Sequence, residues 1–237
     1  MSIAPQVGVL ALQGAVSEHA DLLTTLGASV VPVRRPSDLS GLSGLVIPGG
    51  ESTAIARLAA PMGLLPLVRE RIDAGSLAVL GTCAGLILLA DEVVAPGPLS
   101  GFDRVGGLDV VVARNAYGNQ LDSFEASVRV SLSDASSGVR DSGVSASRTG
   151  DAVGTADASG LDGSTTRTGE STGDQNAHVA FIRAPRIEQV GPRAQAIAWH
   201  GDEVVAVAQD RLIGATFHPE ITGDLTLHRA FLKLASR

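Results

Sequence analysis

The runs at 7–12, 29–33, 44–47 and 77–80 are short, apolar and do not alternate with polar residues. A strand of that kind is buried on both faces, as in a parallel sheet covered by helices on each side. Helical patterns lie between the runs. Val16, Ala20, Leu23 and Leu26 share one face, and Gly27 stops them. Leu64, Val68 and Ile72 recur at i, i+4 and i+8, and Gly75 stops them. Strand and helix in alternation predict parallel strands joined by crossovers, hence an α/β layer fold.

After residue 100 the pattern changes. Longer strands are expected at 105–114 and 125–132. Strands at 194–200, 204–209 and 212–217 are separated only by Gly201-Asp202 and Asp210-Arg211, turns short enough to make antiparallel hairpins. Leu227, Phe231 and Leu234 mark a final helix. From about 134 to 176, roughly half the residues are Gly, Ser or Thr and large aromatics are missing, so little apolar surface offsets the entropy of ordering. This segment reads as a disordered insertion within one domain spanning 1–237. Surface slack explains it better than a docking loop, because loop closure grows only slowly with length.

Composition narrows the function classes. The 237 residues are 44% apolar and 18% charged, ample for a core built on Val, Leu, Ile and Ala, since aromatics supply only 3%. A net charge of −7 argues against nucleic acid or an anionic membrane as partner. One cysteine excludes an internal disulfide or a cysteine-cluster metal site. Residues 1–6 lack the basic start of a signal peptide, and no apolar run reaches the ~18 residues of a membrane span. A cytoplasmic protein is expected.

Three motifs carry chemistry. Gly81-Thr82-Cys83-Ala84-Gly85 stands between the apolar strand 77–80 and an apolar helix at 86–90. A nucleophile between glycines at a strand-to-helix turn is an elbow that holds its side chain out at the carboxyl end of the strand. The helix N-terminus there favours a thiolate, and the Ala84 N–H faces the same space. Pro48-Gly49-Gly50-Glu51-Ser52 leaves the same sheet edge, where Gly50 could supply a second oxyanion donor. In Phe217-His218-Pro219-Glu220 a strand end would put His218 and Glu220 on one side, so the carboxylate orients the imidazole. Cys, His and Glu together suit acyl transfer through a thioester. His19, His178, His200 and His228 show no ligand spacing for zinc, so no metal or cofactor is expected.

These motifs resemble those of class I glutamine amidotransferases. Four further segments are similar to the glutaminase subunit family of pyridoxal 5′-phosphate synthase: Ala11-Leu12-Gln13-Gly14-Ala15-Val16, Arg114-Asn115-Ala116-Tyr117-Gly118, Asp122-Ser123-Phe124-Glu125 and Phe181-Ile182-Arg183-Ala184-Pro185. The likeness covers nearly the whole chain outside the insertion. With the element pattern it implies a three-layer αβα sandwich on a flavodoxin-like mixed sheet, with antiparallel hairpins in the C-terminal half. It implies Cys83 as nucleophile with His218 and Glu220, and an oxyanion site at Gly50 and Ala84. Gly50, Glu51, Ser52, Arg114, Ile182 and Arg183 would bind L-glutamine, and Gln13 would lie near the mouth where a (β/α)8-barrel synthase subunit docks. An arginine is the natural fork for the substrate α-carboxylate, and Arg114 and Arg183 both remain open for it. Two other readings stand beside this one: an amidotransferase subunit for a different acceptor synthase, and a non-catalytic cysteine sensor on the same fold.

Overall fold

The computed structural model describes residues 5–114, 123–132 and 175–237. The apolar runs become parallel strands β1 (Gln6–Leu10), β2 (Ser29–Val33), β3 (Gly44–Ile47) and β4 (Ala78–Thr82). Alternate residues point to opposite faces, and both faces are covered over β1, β3 and β4; β2, contrary to the reading of its apolar run, is the sheet's edge strand and buries only Val33. Val46 and Leu80 pack with the core on one side, Leu45, Ile47 and Val79 with the core on the other. Helix α1 (Val16–Thr25) covers the first face; α2 (Ser52–Ala59), α3 (Leu64–Asp73) and α4 (Ala84–Leu89) cover the second.

The remaining strands are β5 (Ala90–Val94), β6 (Leu108–Ala113), β7 (Phe124–Val130), β8 (Gln175–Phe181), β9 (Arg186–Val190), β10 (Gln195–His200), β11 (Glu203–Gln209) and β12 (Leu212–Ala215). The main sheet has nine strands in the order β2-β1-β3-β4-β12-β11-β10-β7-β8. β12 runs parallel to β4, and β12, β11, β10, β7 and β8 pair antiparallel in turn. A small sheet, β5-β6-β9, stands apart. After β12 come a four-residue turn of helix, α5 (Pro219–Thr222), and α6 (Thr226–Ala235), which lies on the α1 side. Gly44 lets α6 approach: a Cβ there would stand 2.6 Å from Phe231 Cζ. The result is the mixed αβα sandwich expected, with the C-terminal hairpins in place.

Several boundaries differ from expectation. The strand expected at 105–114 is β6, which starts later, at Leu108; the helix expected at 86–90 starts earlier, at Ala84, and gives Ala90 to β5. β5 and β9 went unrecognised because exposed charged residues, such as Asp91, Glu92, Arg186 and Glu188, interrupt their apolar residues. The strand expected at 212–217 ends at Ala215. Gln175 and Asn176 belong to β8, paired with Val130 and Arg129, because a ladder needs backbone groups more than apolar side chains. The rest of the 134–176 segment lies outside the described residues, as do Asn115–Gly118 and Asp122 of the quoted motifs.

Candidate active site

Cys83 sits between β4 and α4 with φ 47° and ψ −100°, a conformation that costs a non-glycine residue ~1–3 kcal/mol. The surroundings hold it there. Its N–H donates to the Ala215 carbonyl at 2.8 Å, and its own carbonyl accepts from the Ile87 N–H at 3.2 Å. Both flanking glycines are forced by close approach. A Cβ on Gly85 would stand 2.0 Å from the Ile47 carbonyl oxygen, and one on Gly81 would stand 2.6 Å from the Gly85 carbonyl carbon. Cys83 is 6% exposed, and its Sγ lies 3.9 Å from the Ile182 carbonyl oxygen.

His218 follows β12 and is fixed by a bridge to β8: its N–H donates to the Ala180 carbonyl at 2.8 Å. Its Nδ1 is 2.8 Å from Glu220 Oε1, with the Glu220 side chain fully buried. The pairing arises differently from the strand-end reading. Pro219 opens α5, and Glu220 reaches His218 from the first turn of that helix rather than along an extended chain. Burial works against a charged ring here. The Cys83 sulfur and the Glu220 carboxylate outweigh it, and His218 is pushed up to about 10.

The loop after β3 completes the arrangement. Glu51 caps α2, its carboxylate accepting from the Thr53 N–H at 3.0 Å and the Ala54 N–H at 2.7 Å. Arg114 Nη2 lies 3.2 Å from Glu51 Oε1 and 3.3 Å from Thr53 Oγ1. Burial opposes the Glu51 charge, but these N–H donors, the Thr53 hydroxyl and Arg114 hold its carboxyl below the ordinary range. Gln13 is exposed, and its Oε1 accepts from the Glu51 N–H at 2.6 Å. Gly50 fits against that side chain: a Cβ there would meet Gln13 Oε1 at 2.4 Å.

One cavity of about 210 Å³ gathers most of these residues. Cys83 and His218 line it, with Gly50, Glu51 and Ser52 from the β3 loop and Arg114, Ile182 and Arg183 from across it. Ala84, buried at the start of α4, does not line it, and Gln13 stands outside. Among the described residues, the Gly50 and Ala84 N–H groups make no hydrogen bond. Ile87 also lines the cavity and was missed. Its signal was present, since it lies one helical turn after Cys83. Thr82, His19 and His228 were missed as support: Thr82 Oγ1 accepts from the Gly49 N–H at 3.1 Å, and His19 Nε2 lies 3.2 Å from that oxygen. No helix among the described residues is long and apolar enough to cross a membrane.

A strained cysteine on a strand-to-helix turn, a His–Glu pair beside it and a mixed αβα sheet beneath define the class in which relatives should be sought. The model of the SNO glutamine amidotransferase family matches residues 9–144 and 160–236, and the chain belongs to that family. The interruption in the match falls inside the Gly/Ser/Thr-rich segment. Pyridoxal 5′-phosphate synthase subunit PdxT of Streptomyces griseus subsp. griseus is 42% identical, covering 99% of this chain and 98% of its own length. The subunit of the same name from Leifsonia xyli subsp. xyli is 43% identical over 98% of this chain and 96% of its own. A crystal structure of a glutamine amidotransferase matches with a TM-score of 0.74 at 38% identity, covering 98% of this chain and 99% of that one.

Proposed function

We propose that this chain hydrolyses L-glutamine to L-glutamate and ammonia, and passes the ammonia to a (β/α)8-barrel synthase subunit that forms pyridoxal 5′-phosphate. The observation that carries the reading is the shared cavity, where Cys83 and His218 meet the Gly50–Ser52 loop and two arginines.

Cys83 attacks the side-chain carboxamide carbon as a thiolate, its charge balanced by the His218 imidazolium. The C–S bond forms, and the carbonyl π pair moves onto oxygen. Gly50 and Ala84 N–H groups hold that oxyanion; removing one such donor in a comparable site costs ~10²–10³ in rate. His218 gives its proton to the nitrogen, the C–N bond breaks, and ammonia leaves a glutamyl thioester. His218, now neutral, takes a proton from water, and the resulting hydroxide attacks the thioester. Glutamate departs and Cys83 is regenerated. Glu220 keeps the imidazole aligned through both proton transfers. Arg114 and Arg183 supply the positive charge for the substrate α-carboxylate. The names of the relatives support the synthase as ammonia acceptor.

Ammonia release from glutamine, measured for wild type and Cys83→Ala alone and with the synthase subunit, tests this. Release should rise with the synthase and fall by at least ~10³-fold in the alanine variant. Release that survives in Cys83→Ala removes the cysteine from the chemistry. No release from folded wild type in any mixture overturns the reading.

A further inference from the structure

Two histidines are buried behind the cavity, and the chemistry above leaves them without a task. His19 on α1 and His228 on α6 are both 0% exposed. An apolar pair would fill that space at lower cost, because a buried imidazole loses its hydration and must find partners. The partners it finds lead to the site. His19 Nδ1 lies 2.8 Å from His228 Nε2. His19 Nε2 lies 3.2 Å from Thr82 Oγ1 and 3.4 Å from Glu220 Oε2. Thr82 in turn accepts from the Gly49 N–H, and Glu220 Oε1 receives His218.

The proton order follows from the carboxylate. An ionised Glu220 can only accept. Its Oε1 is taken by His218, and its buried Oε2 has no close hydrogen bond among the described residues. The His19 proton is therefore assigned to Nε2, bonded to Thr82 Oγ1 and facing Glu220 Oε2 at 3.4 Å. His19 Nδ1 then accepts from His228 Nε2–H, and His228 Nδ1 is left without a hydrogen bond of ordinary geometry, although the Asp224 backbone carbonyl competes for a proton on that ring. A missing donor at an acceptor is the milder of the two buried defects. Burial keeps both rings uncharged: His19 falls well below its ordinary value, and His228 is pushed down to about 4 against the opposing pull of Asp224.

We infer that His19 is a positioning residue for the reaction, holding the far oxygen of Glu220 and the Thr82 hydroxyl that anchors the Gly49 loop, with His228 fixing its tautomer from behind. This rests on the proposed roles of Cys83, His218 and Glu220. One ring thereby couples the base and the loop, which otherwise come from separate elements. Without it Glu220 can turn, and His218 loses its alignment.

The test uses the full chain with its synthase subunit. His19→Leu, which fills the space without a donor, should lower kcat for ammonia release ~10- to 100-fold and leave KM within ~3-fold. His19→Gln, whose amide nitrogen can reach where Nε2 stood, should restore most of the rate. Alkylation of the single cysteine, followed against pH, should show its upper inflection moved to lower pH in His19→Leu, because the imidazolium has lost a fixed partner. Wild-type kcat in His19→Leu, no rescue by Gln, or an unmoved alkylation profile overturns the inference. Should His19→Leu fail to fold, His228→Leu and His228→Gln read the same chain one ring back; Leu must lower kcat and Gln must not, and equal rates overturn it. Cys83→Ala separates the two levels. If it keeps activity, the underlying reading fails; if it is inactive while His19→Leu is normal, only the His19 role fails.

Discussion

A methyl group at Gly49 would stand 2.2 Å from His218 Cε1 and 2.7 Å from its Nδ1. That is far inside contact distance, and the ring has no slack, since Nδ1 is already bonded to Glu220 at 2.8 Å. The imidazole, the softer neighbour, must shift or turn. Displacement of ~1 Å in a reacting group can cost ~10² in rate. Gly49→Ala should therefore lower kcat at least ~100-fold and cost only ~1–3 kcal/mol of stability, as overpacking usually does. Ammonia release and urea unfolding check the two numbers; a normal kcat in a folded variant would show that Gly49 does not set the ring. At this scale the sequence was legible where partners are neighbours. Gly81, Cys83 and Gly85 lie within five residues, so their spacing alone states the turn. His19 was illegible because its partner His228 lies 209 positions away, and a lone histidine on an apolar helix face carries no sign of it.

Among elements, legibility tracked burial. β3 and β4 are buried at every position and read as unbroken apolar runs, and β7 lies within two residues of its expected bounds, whereas edge strand β8 opens on exposed Gln175 and Asn176. α5 could not be read, for four residues give no helical period, and its consequence was a right pairing of His218 with Glu220 for the wrong geometric reason. β7 and β8 also carry a prediction. They run antiparallel with Val130 opposite Gln175, so their ends already meet as the arms of a hairpin. The long connection between Leu132 and Gln175 is therefore not needed to bring them together. Replacing 133–174 by a two-residue Asn-Gly turn makes the loop about twentyfold shorter, which should stabilise the fold by ~3 kcal/mol through loop closure alone. Glutaminase activity with the synthase should stay within ~2-fold of wild type, since the described residues that line the cavity all lie outside the segment. A rise in urea midpoint with normal activity is expected; a large loss of activity would assign that segment a functional task.

For the whole molecule, the buried imidazoles of the site turn catalytic geometry into a pH dependence of stability. In the unfolded chain all three histidines titrate near their ordinary value of about 6.5. In the folded protein His228 is pushed down to about 4 and His19 lies well below its ordinary value, while His218 is pushed up to about 10. Stability rises with pH wherever the unfolded state binds more protons. Below about pH 6.5 the unfolded chain takes up protons on His19 and His228 that the native core refuses, so stability falls as the pH drops toward 4. Above about 6.5 native His218 keeps a proton that the unfolded histidine has lost, but the Cys83 thiolate paired with it lacks the proton that an unfolded cysteine keeps up to about 8.5, so the two cancel. Stability therefore runs level from about pH 6.5 to about 8.5 and falls only as the pH climbs from there toward 10. Urea unfolding from pH 4 to 10 should show both limbs, and two variants should dissect them. His228→Gln should take about one proton out of the acid slope and leave the alkaline limb alone. His218→Gln should take about one proton out of the alkaline slope, because the ring that held it is gone. If His228→Gln keeps the full acid slope, the core does not hold that ring uncharged, and the donor order from His228 through His19 to Glu220 loses its basis. If His218→Gln keeps the full alkaline slope, the imidazolium is not stabilised by Cys83 and Glu220, and the thiolate must be balanced by some other group.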